Sequence, residues 1–225
     1  MPLALALATA LLSSDLDRYV YPLAPAKVCP PISVDTKAAP SLEPWGEEAK
    51  NLATAWYPHI CQLLATEDYK PLKSINFVFR KDQGAPAYAS GNEISFSVEW
   101  VTAHPDDLGM VIHELTHLIQ AYPRNKVDTG WLVEGIADYI RWWRYEPEAP
   151  RSRVNWEKAS YRDAYRTTAG WLAWVGKKYN LSLVPKLDRA LRKGDDPMPI
   201  FKELTGKDAD ALWGEYRAAN EAKSR

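Results

Sequence analysis

Five residues, His113-Glu114-Leu115-Thr116-His117, constrain this chain more than any other stretch. They lie inside an apolar run from Leu108 to Ile119 that has helical period and no internal proline. On a helix, residues four apart stand one above the other, so the rings of His113 and His117 can each offer a nitrogen to a single ion. Glu114 comes about 100° further round, beside such an ion rather than on it, which is where a carboxylate must be to take a proton from water.

A pattern with three fixed positions turns up by accident in roughly one chain in a hundred, so a second signal is needed. It comes with Glu134, in Gly130-Trp131-Leu132-Val133-Glu134-Gly135-Ile136-Ala137-Asp138-Tyr139, which again reads as a helix and repeats the four-residue spacing with Asp138. A carboxylate from a second helix completes three protein ligands, His113, His117 and Glu134, and leaves a fourth position open, as catalytic zinc sites require. One Zn²⁺ per chain is the expected cofactor. Asp138 is then the acceptor for the other N–H of a ligating histidine. A merely solvated acidic face is the competing reading, and the apolar neighbours Val133, Ile136, Ala137 and Ile140 argue against it.

Two helices that meet through HExxH and ExxxD form the gluzincin arrangement. Together with Trp56-Tyr57-Pro58, His113 to Gln120, Glu134 to Tyr139, and Tyr165-Arg166-Thr167-Thr168-Ala169 with Leu172, these motifs make the chain resemble the basic secretory protein family of zinc metallopeptidases. The likeness runs over roughly residues 30 to 220. Two features depart from it: the net charge is −1 rather than basic, and Ala164 stands where the family usually has glycine before the tyrosine.

With 225 residues, 46% hydrophobic and 25% charged, the chain fits one soluble domain without a linker. Near-neutral charge without a basic cluster argues against a nucleic-acid partner. No segment reaches the 18 or so apolar residues of a membrane span. Met1 to Leu12 is an apolar run with Ala8-Thr9-Ala10 spaced like a cleavage site, which assigns residues 1–28 to a leader or extended segment and 29–225 to the domain. It points to secretion, although no Lys or Arg precedes the run and a buried N-terminal helix fits equally. Cys29 and Cys61 fit one disulfide or two unrelated thiols.

Strands are expected at 31–35, 74–80 and 93–98 from alternation, and a helix from Ser41 that kinks or breaks at Pro58. Pro105 should open the HExxH helix, which should end near Tyr122-Pro123. Further helices are expected at 160–178, 182–194 and 208–222. The fold class is α+β and zincin-like: a small, mostly antiparallel sheet over the HExxH helix, with a helical C-terminal half.

The expected function is hydrolysis of a peptide or protein substrate, with Glu114 as general base. Pro86 cannot donate to a ladder, so its strand belongs at a sheet edge. The gluzincin likeness implies that Ala87, Tyr88 and Ala89 receive an extended peptide there, with an ordinary surface hairpin as the alternative. For the oxyanion, His59 and His104 precede the motif, which leaves tyrosines. Tyr165 comes first because it matches the family motif, and Tyr161, one turn earlier on the same face, comes second. Hydrolysis of another amide or ester keeps the same site. A non-catalytic zinc-stabilised module does not explain why a base is present.

Overall fold

A computed structural model describes residues 23–150 and 153–221. The leader-like run at Met1 to Leu12 lies outside the described residues. The order is β1 (Ile32–Asp35), α1 (Glu43–Leu63), β2 (Ile75–Arg80), β3 (Ala87–Ser90), β4 (Glu93–Ser97), α2 (Val98–Ala103), α3 (Gly109–Gln120) and α4 (Gly130–Ile140). A π-helical turn, Arg141–Tyr145, follows directly. Then come α5 (Tyr165–Lys178), α6 (Leu183–Lys193), α7 (Met198–Thr205) and α8 (Ala209–Glu221). This is an α+β architecture.

The sheet runs β1-β2-β4-β3 and is mixed rather than mostly antiparallel. Both β1–β2 and β2–β4 are parallel, and β3–β4 alone is antiparallel. Alternation identified the strands but says only which face each residue takes, not which strand lies alongside. The helix α1 returns the chain between β1 and β2, and β4 inserts between β2 and β3, so both of its neighbours' directions are fixed by connections that periodicity does not report.

One sheet face buries Ile75, Phe77, Phe79, Ile94 and Phe96 against α1. Trp45 seals this layer, its ring edge-on to Phe79 at 5.9 Å and to Phe96 at 5.2 Å. The helix continues through Pro58 instead of breaking. The carbonyl that Pro58 leaves without a donor belongs to Thr54, on the exposed face where solvent reaches it. Beside α1, α3 is buried at every residue except His117, since it packs against α1, β3 and α4.

Two helix starts and two short helices differ from expectation. The HExxH helix starts at Gly109, because residues 105–107 form a turn in which Asp107 N–H donates to the His104 carbonyl at 3.1 Å. Two short helices, α2 and α7, occupy stretches too brief for a helical stripe to show. The helix expected from Ser160 begins at Tyr165. Ser160 N–H donates to Asp163 Oδ2 at 2.8 Å and Arg162 N–H to Ser160 Oγ at 3.1 Å, a local turn that competes with the helix.

Candidate metal centre

The two ligand helices cross so that three donor atoms face one another. His113 Nε2 lies 3.0 Å from His117 Nε2 and 3.2 Å from Glu134 Oε2, and His117 Nε2 lies 3.4 Å from the same oxygen. Zinc bonds of about 2.0–2.1 Å in tetrahedral geometry place donors about 3.3 Å apart, so these separations match three edges of one coordination tetrahedron.

The far side of each imidazole is engaged. His113 Nδ1 is 2.8 Å from Asp138 Oδ1, and His117 Nδ1 is 2.7 Å from Gln120 Oε1. Both partners accept, so each ring donates its Nδ1–H outward and turns the Nε2 lone pair inward. Without a cation, only a proton on His113 Nε2 stands between the three converging atoms. Burial alone lowers the His113 pKa, but its hydrogen bonds to Asp138 and Glu134 outweigh that and hold it up at about 9. Glu134 moves the opposite way: burial raises it, and the two histidines bring it down to about 2. The cluster therefore draws in positive charge. A single proton at His113 Nε2 serves one acceptor at a time, whereas a divalent cation satisfies all three at once, so the donor set fits a metal.

Glu114 stands beside this set, 8% exposed, and its pKa is raised by burial against the lowering effect of His113 and His117. Its carboxylate accepts the Ala89 N–H of β3. Because Ser97 N–H donates to the Pro86 carbonyl at 2.9 Å, alternation along the ladder turns Tyr88 toward β4 and leaves the backbone groups of Ala87 and Ala89 facing away from it. β3 is the edge strand on this side of the sheet.

Tyr165 reaches the centre from α5. Its ring stacks over His113 with centroids 6.2 Å apart at 19°, and it is 55% exposed. The close approach of α5 to α4 depends on Gly135: a Cβ there would meet Thr168 Cγ2 at 2.2 Å, and Thr168 is on the face of α5 that carries Tyr165 one turn earlier. The negative charge of Glu134 raises the Tyr165 pKa, followed by burial, so its hydroxyl stays protonated.

A cleft of about 1010 Å³ is lined by His113, Glu114, His117, Glu134, Tyr165 and the β3 residues Ala87 to Ala89. Tyr161 is not among its lining residues. Its ring is buried between Trp171 at 4.8 Å and Trp131 at 5.3 Å, so the local turn and the start of α5 at Tyr165 have moved it off the face it was expected to share. Gln120 was not picked out from sequence as a site residue. The available signal was a lone polar side chain at the end of an apolar helix, three residues after His117. Cys29 and Cys61 are free thiols, and neither belongs to the group of three candidate ligands.

Among the described residues, no helix is long and apolar enough to cross a membrane. A family model described as a peptidase of plants and bacteria, BSP, matches residues 45–216, and the chain belongs to that family. No curated protein and no solved structure matches the chain.

Proposed function

From that membership and the convergence of three donors beside a buried carboxylate, we propose that the protein is a zinc-dependent peptidase of gluzincin type, with one Zn²⁺ held by His113, His117 and Glu134. The observation that carries this reading is the set of three inward acceptors, two histidine nitrogens and a carboxylate oxygen, opening into a cleft. Held there, zinc would supply Lewis-acid chemistry, acidifying water and polarising the scissile carbonyl.

The chain's own groups do the rest. A carboxylate oxygen of Glu114 takes the proton of the attacking water and later delivers it to the leaving amine. Burial that raises its pKa strengthens it as a base at neutral pH. The Ala89 N–H fixes its direction. Asp138 holds His113 in the tautomer that keeps Nε2 free. The protonated Tyr165 hydroxyl donates to the oxyanion. The N–H and carbonyl of Ala87 and the carbonyl of Ala89, which face away from β4, receive the substrate as an added strand, with Tyr88 between them. Export from the cell, suggested by the leader-like run, belongs to the same proposal.

Glu114→Gln tests it. The substitution preserves size and removes the base, so hydrolysis of a quenched peptide pool should fall about 10²–10⁴-fold. Zinc content should stay at wild-type level, since the three ligands are untouched. An active wild type whose variant keeps most of its activity would show that Glu114 is not the base. Zinc bound by both with no peptide cleaved by either would remove the peptidase reading.

A further inference from the structure

Gln120 ends α3 and is 1% exposed. A buried amide is costly unless its polar atoms are satisfied, and a leucine or methionine would fill the same space without that cost. Both ends of this amide are occupied. Nε2 donates to the Val133 carbonyl at 3.0 Å, and Oε1 lies 2.7 Å from His117 Nδ1.

The two contacts fix each other. A carbonyl only accepts, so the amide nitrogen must be at the Val133 end and the oxygen must face His117. That oxygen only accepts, so His117 must carry its proton on Nδ1, and the lone pair on Nε2 then points at His113 and Glu134. The Val133 carbonyl belongs to the residue immediately before Glu134. One side chain therefore spans the two helices that supply the ligands, setting the tautomer of one ligand and holding the backbone beside another. Gln120 is itself anchored, because Arg192 Nη1 donates to its carbonyl at 3.1 Å.

We propose that Gln120 is a positioning residue for the metal centre, coupling His117 on α3 to Glu134 on α4. This rests on the metal reading above, and the experiment keeps the two separable. Zinc affinity would be measured by chelator competition for wild type, Gln120→Met and Gln120→Glu, together with the His117 ring N–H resonance of the zinc-loaded proteins. In wild type the Nδ1–H should be observed far downfield and protected from exchange. Methionine fills the space without accepting, so zinc affinity should fall about 10–100-fold and the Nδ1–H should exchange with solvent. Glutamate keeps the acceptor for His117 and gives up the donor to Val133, so the protected Nδ1–H should remain and affinity should stay within a few-fold of wild type, while thermal stability falls.

A wild type that binds no zinc defeats the metal reading itself. A wild type that binds zinc with a freely exchanging His117 Nδ1–H defeats only the role of Gln120, and so does Gln120→Met with wild-type affinity. Should Gln120→Met not fold, the wild-type resonance and Gln120→Glu decide: loss of the protected proton in the glutamate variant overturns the inference.

Discussion

Two buried polar clusters flank the same end of α3, and they are built on opposite principles. In one, Asp188 is fully buried and accepts from the Ala65 N–H at 3.1 Å, from the Tyr122 hydroxyl, and from Arg192 Nη2 at 3.1 and 3.2 Å. Arg192 Nη1 in turn donates to the carbonyls of Ile119 and Gln120, capping the C-terminus of α3. Donors and acceptors balance there, with only Arg192 Nε left over. In the other cluster, His113, His117 and Glu134 converge with at most one proton, on His113 Nε2, to share among them. A cluster that saturates itself is a clamp, and a cluster that converges unsaturated is built for something that arrives. The clamp also holds the helix end that carries Gln120, so stability invested in one cluster keeps the other in shape.

That contrast is broken most forcefully from the clamp side. Asp188→Ala leaves the Arg192 guanidinium buried without its counter-charge, and removing one partner of a buried pair typically costs about 3–5 kcal/mol. Denaturant unfolding should show that loss. Zinc bound per folded molecule should change far less, because no ligand or ligand partner is removed. If zinc were lost and stability kept, the roles assigned to the two clusters would have to be exchanged.

The next effect separates two tyrosines four residues apart. Tyr165→Phe should lower kcat about 10²–10³-fold if its hydroxyl donates to the oxyanion, with folding and zinc unchanged. Tyr161→Phe should leave kcat alone and cost about 1 kcal/mol of stability, since its ring is core and only its hydroxyl bonds are lost. Steady-state kinetics on both variants checks this, and equal rate losses would erase the distinction. Smaller again is Asp138→Ala, which acts on zinc only through His113. Affinity should fall about 10–100-fold, read by chelator competition. An undiminished affinity would mean that the His113 tautomer does not depend on Asp138.

Much of the candidate metal centre was legible because its geometry is local. His113 and His117 share a face through helical spacing, and Glu134 and Asp138 repeat the device, so each pair could be read without knowing the tertiary arrangement. Strands were equally visible in the alternation of Ile75, Phe77 and Phe79, yet their parallel pairing was not, because neighbours in a sheet are chosen by connections. Gln120 stayed hidden for the same reason: its role needs the Val133 carbonyl of another helix, and nothing along α3 reports that approach. Tyr161 was misplaced because side-chain hydrogen bonds of Ser160 and Asp163 outcompeted the helical period that its apolar spacing suggested.

The segment that divides the two tyrosines offers the smallest and most local test. Ala164 has φ 62° and ψ −170°, a region that is open to glycine and strained for a residue with a Cβ, and Tyr165 follows with φ 44°. These two residues swing the chain from the buried turn at Tyr161 into the first turn of α5, so the strain lies where the core gives way to the cleft. Strain of this kind costs about 1–3 kcal/mol, and glycine at 164 would relieve it. Glycine also enlarges the unfolded ensemble, which offsets about 0.4–1 kcal/mol of the gain. Ala164→Gly should therefore stabilise the protein by about 1 kcal/mol, a rise in Tm of about 2–4 °C for a chain of this length. Zinc affinity should not change, because no ligand partner is touched. A clear drop in Tm would show that residue 164 does not occupy the positive-φ region, and the placement of Tyr165 over His113 would lose its local cause.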